Sequence, residues 1–259
     1  MLTRWIPRTR WQAFAIHLSL SALIAATLVA IILFLWYPAP YFQSMGGRDL
    51  LALMVGVDVV LGPAITLIIY RLGKKGLAFD LAVIAVLQVA ALVYGAYIVF
   101  EARPVFTVYS VDRFESVVAN AVDPGSLART KRPEFASLPL TGPRLAGSRL
   151  PTDPEARTKI MFDSIGGGPD IHNLPEYYVP YEEVAADAVK RAKPLSRLRS
   201  QNTAHPDELA ELDRLVAKSG RPIDDFAYLP LSVRTGNMSV VIDAKTGAVL
   251  GMVALDPWW

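Results

Sequence analysis

The sequence predicts a membrane protein in which three N-terminal transmembrane helices precede an α+β extracytoplasmic domain with a small antiparallel sheet. Three observations lead to that class. Nearly all the long apolar runs of this 259-residue chain lie before Glu101, although 53% of the whole is hydrophobic and mean hydropathy is +0.33. Positive charge gathers at the ends of those runs, with seven basic and three acidic groups in the first hundred residues against 19 and 21 in the rest. Beyond Glu101 the chain reads as an ordinary soluble domain. The division is therefore 1–100 for the membrane part and 101–259 for a periplasmic α+β part.

The first predicted span, 12–37, follows a basic segment holding Trp5 and Trp11, rings suited to a headgroup interface. About 20 apolar residues cross the hydrocarbon, whereas a signal h-region needs only about 7–15, so the run reads as an uncleaved anchor. Trp36-Tyr37-Pro38 supplies an aromatic belt and a stop. The second span, 50–70, carries Asp58 near its centre, with Gly62 and Pro63 one turn later. The third, 77–100, follows the basic turn Arg71-Leu72-Gly73-Lys74-Lys75-Gly76. The loop from Ala39 to Asp49 is nearly neutral, so the positive-inside rule puts the N-terminus and the basic turn in the cytoplasm. Three crossings then leave the remainder outside it. Asp80, just after the basic turn, reads as one half of a solvated ion pair.

The exported part opens with a strand at Arg103–Val111, β-branched and aromatic. Asp112 with Glu115 resembles a capping box and predicts a short helix through about Ala121. Pro124 to Pro151 is rich in proline, glycine and serine and reads as irregular. Asp153-Pro154 places a cap and an N1 proline before a helix to about Ser164, which Gly166-Gly167-Gly168-Pro169 breaks. A helix is predicted over 181–193, with acids first and bases last. A stronger one covers 206–218, its Leu209, Leu212, Leu215 and Val216 on one face and Gly220 just past its end. Strands follow at Asp225–Arg234, Met238–Asp243 and Ala248–Leu255, the last two joined by the glycine-bearing turn Ala244-Lys245-Thr246-Gly247.

Several chemistries are excluded or unsupported. With no cysteine there is no disulfide, thiolate nucleophile or Cys-held metal. His17, His172 and His205 have no ligand spacing, so no metal is expected. The triple glycine lacks the lysine and Ser/Thr of a phosphate loop, and no nucleophile elbow occurs, so neither cofactor nor catalytic residue is assigned. A nearly neutral exported domain is not a nucleic-acid binder.

Three groups of residues resemble the type IV pilin accessory proteins, a bacterial inner-membrane family. The first is Val57-Asp58-Val59-Val60-Leu61-Gly62-Pro63 with the aliphatic run after it. The second is Asp80-Leu81, Gln88, Ala91-Leu92 and Tyr94-Gly95, leading to Arg103-Pro104 and Asp112-Arg113-Phe114. The third is Tyr228-Leu229-Pro230-Leu231, then Ile242 to Gly251, then Pro257-Trp258. The resemblance implies a chaperone-like or modulating role in type IV pilus biogenesis, with pilin as the partner in the bilayer. It implies no catalytic residues, and the stretch from about Pro124 to Lys218 has no counterpart in it.

Asp58 is the foremost candidate, because a carboxylate within a span costs about 2.5–3.5 kcal/mol on insertion scales and is normally turned toward protein. It is either a helix-packing device or a contact for a client's helix. On the second reading Asp58, Gly62 and Gln88 line a groove for the apolar helix of pilin, with Pro63 and Tyr94 beside it. Lys190, Arg191, Lys193, Arg197 and Arg199 form the notable charge cluster, either a solvated helix end or a surface for anionic headgroups or acidic patches. The alternatives to an accessory factor are a membrane-bound enzyme modifying pilin or envelope material, and a ligand-binding sensor. Reporter fusions at Arg10, Gly76 and Trp259 test the layout. The first two are expected to report cytoplasm and the third periplasm, and a cytoplasmic C-terminus would overturn it.

Overall fold

The computed structural model describes residues 7–258; Arg4, Trp5 and Trp259 lie outside them. The chain forms two compact units, one from the N-terminus to Leu35 plus Gly47–Glu101, the other Trp36–Gly46 plus Ala102–Trp259. The connector between the first two apolar helices thus belongs to the C-terminal fold.

In the first unit α1 (Arg10–Ile31) starts where the Thr9 side chain accepts from the Gln12 N–H. It runs on through a π turn, Ile32–Trp36, into the connector, which carries the short α2 (Tyr41–Ser44). The second apolar stretch is helical in three consecutive pieces: α3 (Gly47–Val55), a π segment (Gly56–Leu61) and α4 (Gly62–Ile69). Pro63 accounts for the wide turn. It has no N–H to offer the carbonyl four residues back, and its ring crowds that carbonyl. The Gly62 N–H instead reaches the Val57 carbonyl, five residues back, which is the π pattern. After the basic turn comes α5 (Leu77–Glu101), with Lys74 and Asp80 paired at 2.6 Å at its start. Among the described residues two helices are long and apolar enough to cross a membrane, Arg10–Trp36 and Leu77–Glu101, at 27 and 25 residues; Gly56–Ile69 is a shorter apolar helix. Only 17% and 11% of the two long stretches are buried, the opposite of a soluble core helix.

The second unit is built on a mixed eight-stranded sheet rather than the small antiparallel one the sequence predicts. Its strands are β1 (Pro104–Ser110), β2 (Arg113–Val118), β3 (Arg144–Ser148), β4 (Tyr178–Val179), β5 (Lys193–Pro194), β6 (Phe226–Ser232), β7 (Asn237–Asp243) and β8 (Val249–Val253). The order is β4-β3-β1-β2-β6-β7-β8, with β5 also on β6. The β1–β3 and β2–β6 pairs are parallel and the rest antiparallel. The parallel pairs arise because two distant segments insert beside the first hairpin, and strand alternation within one segment cannot announce that.

Two local expectations fail for related reasons. The helix predicted from Asp112 is β2: Phe114 and Val117 are fully buried and pair across to β1, so tertiary packing overrides the cap-like spacing. The stretch read as irregular holds α6 (Pro124–Arg129) and β3, whose small residues Ala146 and Gly147 lie against neighbours with no room to spare. Elsewhere the chain follows its caps. Asp153 caps α7 (Pro154–Ile165), and Gly220 in the left-handed region ends α10 (Pro206–Ser219). The helix predicted over 181–193 is a single 3₁₀ turn followed by α8 (Ala185–Arg191), and α9 (Leu195–Gln201) comes next.

Both faces of the sheet are covered. On one, Phe106 meets the rings of Tyr178 and Phe135 edge-on at 5.2 and 6.2 Å, while Leu195, Leu198 and Leu212 from α9 and α10 pack on Phe226, Tyr228 and Val241. On the other, alternation places Thr107 and Tyr109 with Phe114 and Ser116. Here the connector docks. The buried Tyr41 hydroxyl sits 2.5 Å from Thr107 Oγ1 and 3.1 Å from Met252 Sδ, and the Thr235 N–H and hydroxyl both donate to the Ser44 carbonyl. Burial pushes the Tyr41 phenol up to about 12, against a smaller opposing effect of the Thr107 bond, so it stays neutral at physiological pH.

The β7–β8 turn is held by Asp243, whose carboxylate accepts the N–H groups of Thr246 and Lys245 and the Arg221 guanidinium at 2.6 Å. These donors, the Thr246 N–H foremost, hold its carboxyl far below the usual carboxylate range. A depressed folded value contributes stability that is full above the unfolded value near 3.9 and fades as pH falls toward the folded one. Asp243→Ala is expected to cost about 1–3 kcal/mol at pH 7. Denaturation at pH 7 and pH 3 checks this: the gap between wild type and variant narrows at the lower pH.

Candidate functional site

The first unit gathers its polar side chains at one level between helices. α1 and α4 run antiparallel, since His17 Nδ1 lies 2.7 Å from Thr66 Oγ1 and the Tyr70 hydroxyl donates to the Pro7 carbonyl at 2.5 Å. Ser21, one turn beyond His17 on α1, and Asp58, eight residues before Thr66, are both buried. Asp58 sits in the π turn, where an extra residue per turn shifts the register of helix faces. From α5, the Gln88 amide donates to the Asp58 backbone carbonyl at 3.3 Å. It can do so because residue 62 is glycine: a Cβ there would stand 1.8 Å from Gln88 Nε2. A side chain at 62 and the observed Gln88 rotamer exclude each other.

His17, Ser21, Asp58 and Gln88 line a half-open cavity of about 110 Å³, with Ile24 on the α1 side and Leu92 on the α5 side. Asp58 Oδ1 is buried and meets no donor among the described residues. Leaving such an atom unpaired costs about 1–3 kcal/mol, so a natural site that carries one calls for an explanation. Chemically the cavity offers an acceptor at the base of a slot whose rims, Leu20 and Val89, are apolar and exposed.

Of the residues singled out from sequence, the structure brings Asp58, Gly62 and Gln88 together. Pro63 is buried and shapes the turn without lining the cavity. Tyr94 is 68% exposed and lines a separate open groove on α5 with Val86, Val93 and Tyr97. His17, Ser21 and Thr66 belong to the site although the sequence reading did not connect them. The available signal was that each is a polar residue inside an apolar helix. Among the described residues no group of three His, Cys, Asp or Glu could hold a metal, and His17 pairs with Thr66 instead.

The basic cluster is divided. Lys190 pairs with Asp187 at 2.8 Å and Arg199 with Asp213 through two bonds of 3.0 and 3.1 Å. Lys193 joins β5 to β6, and Arg197 is exposed on α9. Lys190 and Arg191 border a cavity on the side of the sheet near Tyr109.

Among characterised proteins the chain is similar to the fimbrial assembly proteins of Dichelobacter nodosus. The serogroup I and serogroup E1 proteins are each 31% identical to it over 231 residues, 88% of both chains. The protein of serogroups C1 and C2 is 40% identical over 99 residues, 38% of this chain and 76% of that one. The family model of fimbrial assembly protein FimB matches residues 4–46, which take in α1 and the connector. No solved structure matches the chain.

The Gly62–Gln88 contact makes a testable pair. Gly62→Ala is expected to push the flexible end of Gln88 off the Asp58 carbonyl and to destabilise the protein by about 0.5–1.5 kcal/mol, the worth of that hydrogen bond. In a Gln88→Ala background the same substitution should cost much less, a non-additivity that a double-mutant cycle on thermal unfolding reads directly.

Proposed function

Because the chain belongs to the fimbrial assembly protein FimB family, we propose that it is a non-enzymatic accessory factor that holds or presents type IV pilin at the bacterial inner membrane during fimbrial biogenesis. The observation that carries this reading is the relationship to the two D. nodosus fimbrial assembly proteins over 88% of both chains, since it spans the apolar helices and the sheet domain alike.

On this reading the chain crosses the membrane three times. The two long apolar helices expose Phe34 and Phe79 at 77% and 73%, and α4 exposes Ile68 at 75%, surface that lipid would cover. The helical run from Gly47 to Ile69 measures about 34 Å at 1.5 Å per residue, enough for a hydrocarbon core of about 30 Å. The connector shares a fold with the C-terminal domain, which supports a common, periplasmic location for both. The N-terminus and the Arg71–Gly76 turn then face the cytoplasm, as their charge favours.

The slot above Asp58 is the part suited to a client. Apolar rims admit a hydrophobic helix, Gly62 lets backbone and Gln88 approach closely, and the unpaired Asp58 oxygen rewards a partner that brings a donor to that depth. The sheet domain would contact the exported part of the pilin.

A photocrosslinker placed at Leu20 tests the arrangement in cells making both proteins. Wild type is expected to capture pilin, with yield falling several-fold in Asp58→Ala and Gln88→Ala. Yields unchanged by both substitutions would count heavily against the slot, and loss of pili on deletion without any capture would separate the assembly role from this mode of contact.

A further inference from the structure

The hairpin between β1 and β2 turns through two residues, and the first is Val111 at φ +59. The Asp112 N–H donates to the Ser110 carbonyl at 2.7 Å, closing a three-residue turn around Val111. Positive φ at the centre of such a turn is rare and strained, and for a β-branched residue it is an outlier. Glycine would hold the same turn without strain. What valine adds is an apolar tip, 64% exposed, beside Leu150, also exposed at 45%.

Those two tips stand at the mouth of a cavity of about 460 Å³. Its floor is Tyr109, buried, its hydroxyl donating to the Val111 carbonyl at 3.1 Å. Its walls carry Arg149, Lys190 and Arg191 against one carboxylate, Asp187. Arg149 is partly engaged by Glu183 at 3.4 Å and Lys190 by Asp187 at 2.8 Å, whereas among the described residues Arg191 has no carboxylate partner. The lining therefore sets a guanidinium that makes no ion pair, with the Asp187 carboxylate in the same wall, beside a pair of aliphatic tips.

We propose that this cavity is a peptide-binding site for a carboxylate flanked by aliphatic residues, the acid engaging Arg191 and Arg149 and the aliphatic side chains resting on Val111 and Leu150. A guanidinium receives a carboxylate through two parallel bonds, which gives orientation as well as attraction. The Asp187 carboxylate in the wall favours a singly charged ligand over a phosphate, whose greater negative charge it repels. A strained apolar residue at the rim is explained by contact with a ligand, since a strained conformation persists where the site uses it. The site lies wholly within the sheet domain and does not rest on the slot at Asp58.

The test uses the full chain in phosphatidylcholine nanodiscs and two fluorescein-labelled peptides, Ala-Val-Glu-Leu-Ala and Ala-Leu-Asp-Val-Ala, each with its Gln or Asn counterpart. At least one acidic peptide is expected to raise the anisotropy saturably, with its amide counterpart at least tenfold weaker. Arg191→Ala should weaken binding at least tenfold and Val111→Gly several-fold, while Lys218→Ala, on α10 away from the cavity, leaves it unchanged. Equal binding of acid and amide, binding indifferent to Arg191, or no binding of either peptide at millimolar concentration would overturn the proposal. So would Arg191-dependent binding of inorganic phosphate or phosphatidylglycerol vesicles in place of the peptides.

Discussion

Burying a phenol is costly when its hydroxyl finds no partner, and at Tyr41 the partners it finds tie the connector to the sheet. Its oxygen meets Thr107 on β1 and Met252 on β8, strands at opposite ends of the domain's sequence. Ser44 and Thr235 add backbone bonds beside it. Eleven residues between two apolar helices thereby become part of a fold whose other residues begin only after Glu101. Without them, the sheet face carrying Thr107 and Ser116 would lose part of its cover, and burying polar Thr107 would leave it unpaired. The same contact bears on topology, because a segment packed into a domain must share its side of a membrane.

A comparable exchange between strain and function runs through the helical unit. Proline removes one hydrogen bond, the helix widens to a π turn, and the widened turn carries an acid into the space between helices. Glycine next to that proline admits the Gln88 amide. Each residue of Asp58, Gly62 and Pro63 would weaken an isolated apolar helix, yet together they shape a turn that sets Asp58 and Gln88 beside one small cavity. The hairpin tip at Val111 follows the same logic in the sheet domain, where unfavourable φ presents an apolar surface beside the Arg191 guanidinium.

How legible this was depended on the range of the interaction concerned. The Asp153 cap, the left-handed Gly220 and the Asp243–Gly247 turn are local, involving partners within a few residues, and each was readable from type and spacing. Asp112 misled because its spacing to Glu115 suits a helix start, while the burial of Phe114 and Val117, decided by β1 and β6, holds the segment extended. Parallel pairing of β1 with β3 joins residues nearly forty apart through a stretch of weak local signal. In the slot, Asp58, Gly62 and Gln88 stood out as polar or small residues in apolar runs. His17, Ser21 and Thr66 joined them only through the antiparallel packing of α1 on α4.

By itself the sequence determined where the apolar helices lie, which turns are basic, where most caps and hairpins fall, and which family the chain resembles. All of these follow from composition and short-range chemistry. Only the tertiary structure decided that the connector belongs to the sheet domain, that the sheet is mixed, that Lys190 and Arg199 of the clustered cations are held in ion pairs while Arg191 borders a cavity, and that Asp58 keeps an oxygen without a donor among the described residues. The physical reason is that burial and hydrogen-bond satisfaction are properties of neighbours, and the neighbours of these residues are far away along the chain.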